Sequence, residues 1–189
     1  ISEKKLNFKM KNMKELNIYI SLSVIPLYFV IHQIIQMFLK DYILVLDFLP
    51  FIFLAIVVQI EYNMILVPYS KVIRKEKKIF LVNLITLSIN IIFTTCSVII
   101  LNSLLLTSII IYLSFIMRNY LLEYCLFGST KIKSKVNLLY IFSQFLFLFN
   151  IYVWDHLSYS IFIYFVFMFF VLLRKRKLIY FNLKGDLNG

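Results

Sequence analysis

Residues 79–101 read IFLVNLITLSINIIFTTCSVIIL and residues 104–127 read LLLTSIIIYLSFIMRNYLLEYCLF, with only Asn102-Ser103 between them. Crossing the hydrocarbon core of a bilayer takes roughly 20 apolar residues of helix, about 17–25 in practice. Each stretch is therefore long enough to span, and the tight connection makes the pair an antiparallel hairpin. Arg74-Lys75-Glu76-Lys77-Lys78 stands directly before the first stretch, and Lys131, Lys133 and Lys135 follow the second. Cations thus flank the open end of the hairpin and are missing from its turn.

The same pattern extends in both directions. Of the 20 Lys and Arg residues, all but Lys40 and Arg118 fall in four clusters: Lys4–Lys14, Lys71–Lys78, Lys131–Lys135 and Arg174–Lys184. Between consecutive clusters lies enough apolar sequence for two crossings. The spacing predicts an all-α polytopic membrane protein of six helices in three hairpins, at about 16–39, 42–67, 79–101, 104–127, 136–153 and 157–173. The last two are short and can span if flanking cations snorkel. Lys40-Asp41, Asn102-Ser103 and Trp154-Asp155-His156 form the outer turns. Positively charged loops stay in the cytoplasm, so both termini are expected there: a basic segment at 1–15, the helical domain at 16–173 and a basic tail at 174–189. A β-barrel would need alternating segments of about ten residues, and these runs are continuously apolar.

Composition agrees. The 189 residues are 62% hydrophobic and only 15% charged, too few charges to cover a soluble surface of this size. Mean hydropathy is +0.89. A net charge of +11 would point to nucleic acid in a soluble protein; here the cations border apolar runs, so their partner is the anionic inner leaflet of the bilayer. No nucleic-acid partner is expected. Cys96 and Cys125 lie inside apolar runs without metal-ligand spacing, and no cofactor is implied. The few glycines fall outside the candidate helices, which removes GxxxG-type helix contacts. No hydrolase, metalloprotease, P-loop or redox motif is present, so an enzyme is not expected.

The chemistry on offer is the set of polar side chains inside the runs. Asn83, Thr86, Asn90, Thr94 and Ser97 follow at spacings of 3, 4, 4 and 3, which puts them on one helical stripe. That stripe is either a helix–helix seam or the wall of a wet cavity. Arg118 shares a face of the next helix with Thr107, Ser114 and Cys125. An intramembrane cation faces a partner or a cavity rather than lipid, so Arg118 pairs with another helix, Glu61 being one choice, or meets an anionic ligand. His32 shares a face with Ser21, Tyr28 and Gln36. Asp47 and Glu61 share one face of the second helix and are possible ion or proton sites or salt-bridge partners for a cation on another helix.

The segment Glu61–Gly128 resembles the C-terminal part of bacterial polysaccharide flippases, the Wzx-like oligosaccharide transporters of the MATE/MOP superfamily. The resemblance rests on Pro68-Tyr69-Ser70-Lys71 ending a helix, the basic loop at Arg74–Lys78, the Asn83 and Asn90 stripe, and the Ser114-Phe115-Arg118-Glu123 pattern. Such transporters are built from two pseudo-symmetric lobes around a cationic cavity. The resemblance implies a transporter of the bacterial cytoplasmic membrane that flips a polyprenyl-diphosphate-linked oligosaccharide for surface polysaccharide synthesis. Its ligand-binding residues would be Arg118, His32, Asn83 and Asn90.

This chain departs from the family by carrying one lobe's worth of crossings. Lys4–Lys14 reads like an internal loop, and Ile1 stands where a Met would. The expectation is a C-terminal lobe, needing a separate N-terminal lobe or a second copy. The competing readings are a small accessory or immunity protein with polar packing seams only, the permease subunit of an ABC exporter, and a cation-coupled drug exporter using Glu61.

Overall fold

The computed structural model describes residues 13–14, 16–17, 19–21, 23–127, 135–153, 162, 164, 166 and 169. Most of the expected basic segment 1–15, the Trp154-Asp155-His156 turn, most of the expected helix 157–173 and the tail 174–189 lie outside them. The described residues are helical throughout, with no strand among them. We number the helices α1 (Leu27–Phe38), α2 (Leu49–Val72), α3 (Glu76–Ile99), α4 (Leu104–Phe127) and α5 (Lys135–Val153). Among the described residues, α2, α3 and α4 are long and apolar enough to cross a membrane.

The chain divides into two compact units, residues 1–29 with 134–189, and residues 30–133. The first unit is knit by aromatic edges. Tyr28 and Phe147 meet at 5.1 Å between ring centroids and 89° between planes, and Phe147 meets Tyr164 at 6.3 Å. Edge-to-face pairing of this kind suits the ring quadrupole. Lys14, which the sequence reading put in a solvated basic segment, is buried here.

Prolines set the departures from long, uninterrupted helices. A proline ring removes a backbone donor and clashes with the carbonyl four residues back. Around Pro26 the chain takes turn bonds, Tyr28 N to Ile25 O and Phe29 N to Pro26 O. The expected first crossing, 16–39, is therefore interrupted, and α1 begins at Leu27. The expected second crossing, 42–67, is displaced as well. Lys40–Asp47 winds as a 3-10 helix, and the α-helix runs from Leu49 to Val72 with Pro50 in its first turn, where a missing donor costs nothing. Within α2, Tyr62–Leu66 forms a π-turn in which Val67 N bonds Tyr62 O. Pro68 explains it: widening the turn moves the backbone carbonyls away from the ring.

The second unit contains the α3–α4 hairpin, with α2 against α4. At the tight turn Asn102 adopts a left-handed φ of 46°, and Ser103 N reaches back to Ser97 O at 3.4 Å, closing the end of α3. Ser103 Oγ then accepts from Leu106 N at 3.2 Å and caps α4. At the opposite end Arg74 takes φ 55° and Lys75 N bonds Ser70 O at 2.9 Å, reversing the chain between α2 and α3. The α3 helix starts at Glu76 rather than Ile79, because the acidic side chain in its first turn favours the positive end of the helix dipole.

Helix α3 is inside out by the standards of a protein in water. Thr86 and Ser97 are buried, whereas Leu87, Ile91, Ile92 and Phe93 are each more than half exposed. Apolar exposure on that scale is strongly unfavourable in water at about 25 cal/mol per Å². In lipid it carries no such cost, and the polar stripe turns inward because nothing in the hydrocarbon can bond it.

Candidate functional site

Arg118 lies nine residues before the end of α4, roughly 14 Å along the helix axis from Phe127. Its side chain reaches across to α2, where Nη2 donates to Gln59 Oε1. Tyr62 lies under the guanidinium, 3.7 Å from Cζ to the ring centroid, and Phe115 lies 4.8 Å away on Arg118's own helix. Cation–π contacts of this kind are worth about 0.5–2 kcal/mol, most where water is excluded. Gln59 Nε2 donates to Asn63 Oδ1 at 3.4 Å, which orients the amide with its oxygen toward Arg118.

The α3 stripe joins this network through one bond. Tyr62 donates its hydroxyl to Asn83 Oδ1 at 2.9 Å. Other stripe hydroxyls turn back on their own helix: Thr86 bonds Val82 O at 2.7 Å, and Thr94 bonds Asn90 O at 2.7 Å. On α4, Ser114 bonds Ile111 O at 2.8 Å. Farther along, Ser97 Oγ and Thr107 Oγ1 are 2.6 Å apart and link α3 to α4. The stripe is thus a seam near the Asn102 turn and something else at Arg118.

There a cavity of about 200 Å³ opens, lined by Asn83, Thr86, Leu87 and Asn90 from α3 and by Ser114, Phe115 and Arg118 from α4. Two buried polar atoms on its lining residues have no hydrogen-bond partner, Arg118 Nε and Asn90 Oδ1. An unmet donor and an unmet acceptor in a low-dielectric site each cost about 1–3 kcal/mol, more where the group is charged. Filling the cavity with a group that bonds them recovers that cost. The volume is below the ~300–1,000 Å³ typical of whole small-molecule sites. It suits a headgroup-sized moiety rather than a chain of sugars.

Arg118, Asn83 and Asn90, expected together from sequence, line this one cavity. Arg118 reaches Gln59 rather than Glu61. Glu61 Oε2 instead accepts from Asn119 Nδ2 at 3.4 Å, and the same amide donates to Val58 O at 3.0 Å. Asp47 ends the 3-10 segment, outside the α-helix that carries Glu61. His32, on α1, is outside the cavity lining. Gln59, Tyr62, Phe115 and Asn119 are the residues sequence reasoning missed. Gln59, Glu61 and Asn63 crowd one turn of an otherwise apolar helix, and that was the available signal. Among the described residues no group of His, Cys, Asp and Glu could hold a metal ion, and Cys96 and Cys125 are free thiols.

No family model, curated protein or solved structure matches this chain.

Proposed function

We propose that the chain is the C-terminal lobe of a transporter that carries a polyprenyl-diphosphate-linked oligosaccharide across the bacterial cytoplasmic membrane. In this reading it makes six crossings with both termini in the cytoplasm, and a second lobe or a second copy completes the passage. One observation carries the proposal: a guanidinium in the middle of an apolar helix, with Nε unbonded, on a cavity whose lining also includes Asn90, whose Oδ1 is buried and unbonded.

The chemistry follows from desolvation. Moving a diphosphate from water into a low-dielectric path is strongly unfavourable unless the protein replaces its hydration. Arg suits that task better than Lys, because its planar fork stays charged and bonds phosphate at two points. Lys75, Lys78 and the other cations of the 71–78 loop gather at one end of α3 and α4, and the opposite turn holds none, which agrees with a cytoplasmic assignment for the loop. The resemblance at Glu61–Gly128 supplies the substrate class.

A second reading has its own support. The Ser97–Thr107 and Tyr62–Asn83 bonds are helix-to-helix links, as an accessory protein with polar seams alone would have. Substituting Arg118→Ala in the host, with membrane insertion verified, separates the two. The transporter reading expects surface polysaccharide to fall severely. Polymer at wild-type level from a stably inserted Arg118→Ala protein overturns it.

A further inference from the structure

Nη2 of Arg118 belongs to both of the two-point forks that a guanidinium can offer an oxyanion, one shared with Nε and one with Nη1. Gln59 Oε1 is already bonded to it. The guanidinium carbon lies over the rings of Tyr62, at 3.7 Å, and Phe115, at 4.8 Å, which limits the directions of approach. Nη2 carries one N–H in each fork, and a phosphate that takes the fork whose N–H Gln59 holds meets the amide there. We propose that Gln59 is an internal stand-in for the anionic ligand, a neutral acceptor that occupies Arg118 in the empty state and is displaced when a diphosphate binds. This inference rests on the anionic-ligand reading of the same site.

The arrangement answers two needs at once. Without Gln59 the half-buried cation would have, among the described residues, only ring faces to offset its desolvation. A carboxylate there would satisfy it too well, since two opposite unit charges attract each other more strongly in a low-dielectric site than a charge and an amide dipole do. A neutral amide lies between these limits. It is strong enough to hold the empty state and weak enough to yield to a diphosphate. It also sets selectivity, because a neutral hydroxyl offers Arg118 nothing that Gln59 does not already give. Its release costs little else. The amide's other bond, to Asn63 on the same helix, is long at 3.4 Å. The arriving oxygen atoms also reach Nε, which Gln59 leaves unbonded.

The test uses the full chain in nanodiscs of neutral lipid, with geranylgeranyl diphosphate as the probe and geranylgeraniol as the uncharged control. Removing the competitor with Gln59→Leu should tighten diphosphate binding about tenfold, the equivalent of one displaced hydrogen bond. Gln59→Glu replaces the competitor with a fixed charge and should weaken binding by at least about tenfold. The control alcohol should be unaffected by either change. Wild-type binding with an unchanged or weakened Gln59→Leu protein overturns the displacement while leaving the transporter reading intact. If Gln59→Leu does not insert, Gln59→Glu decides alone, and wild-type affinity in that protein overturns the proposal. Absence of diphosphate binding by the wild type and by both variants, all properly inserted, overturns the transporter reading and the displacement together.

Discussion

Tyr62 holds Arg118 and Asn83 simultaneously, its ring centroid 3.7 Å from the guanidinium carbon and its hydroxyl 2.9 Å from the amide oxygen. Three helices are tied through that one side chain: α2 supplies it, α4 supplies the cation and α3 the amide. Its two interactions differ in kind and can be removed one at a time.

Tyr62→Phe keeps the ring and deletes the bond to Asn83. Interhelical hydrogen bonds in membranes average about 0.6 kcal/mol and reach about 1.7, so a loss in that range is expected. Tyr62→Leu removes the ring face as well and should cost a further ~0.5–2 kcal/mol. Reversible unfolding in mixed micelles measures both. Equal losses for the two variants would mean that the stacking contributes nothing.

The π-turn at Tyr62–Leu66 fixes where Tyr62 points. Replacing Pro68 with Ala restores an amide donor and removes the ring clash, so the turn is free to tighten toward α geometry. One residue of register is about 100° of rotation around the helix, enough to carry Gln59 and Tyr62 away from Arg118. A double-mutant cycle between Tyr62→Leu and Arg118→Met reads the result. The coupling, about 0.5–2 kcal/mol in the parent, should fall toward zero in the Pro68→Ala background. Undiminished coupling would show that the register does not depend on the proline.

The helical class and the inward polar stripe were legible in the sequence, because both follow from spacing alone. Asn83, Asn90 and Arg118 emerge on one cavity because 3- and 4-residue steps keep side chains on one helical face wherever the helix is regular. The reading failed where the helix is not regular. The expected second crossing, 42–67, treats Tyr42–Asp47 as α-helix, and that segment winds as a 3-10 helix. Gln59 was passed over in favour of Glu61 because charge complementarity suggested the acid. Which α2 side chain reaches Arg118 depends on helix packing and on the phase near the π-turn, and a one-dimensional pattern carries neither.

Ser97 anchors the other end of the hairpin. It is fully buried, and its hydroxyl contacts Thr107 Oγ1 at 2.6 Å and donates to Ser103 O at 3.2 Å. Ser97→Ala should cost about 1–2 kcal/mol, since it leaves the half-buried Thr107 hydroxyl with only its own helix as partner. Thr107 already bonds Ser103 O at 2.9 Å, which keeps the loss moderate. Ser97→Leu should do far worse, because no space exists for the added carbons between packed helices. Helix content and thermal unfolding in detergent distinguish the three proteins, and an Ala variant as damaged as the Leu variant would contradict this account.

The lysines of the 71–78 loop divide into two jobs, and substitution should separate them. Lys75 Nζ bonds Leu126 O at 3.2 Å and Lys78 Nζ bonds Cys125 O at 2.6 Å, so both cap the carbonyl end of α4. Lys71, Arg74 and Lys77 are exposed, and no bond of their side chains to the protein is seen among the described residues. Capping cations near a helix C-terminus contribute about 0.3–1 kcal/mol each, less at high salt. Changing Lys75 and Lys78 to Gln should therefore lower stability by about 0.5–2 kcal/mol and raise amide exchange near residues 122–126, with orientation preserved by the remaining cations. Changing Lys71, Arg74 and Lys77 to Gln should leave unfolding nearly unmoved and instead increase the fraction of chains inserted the wrong way round. Thiol labelling of a cysteine placed at the exposed Val72, in intact cells with Cys96 and Cys125 replaced by Ser, reports that fraction. If both triple and double variants lose stability equally and neither changes orientation, the division between capping and orienting cations is wrong.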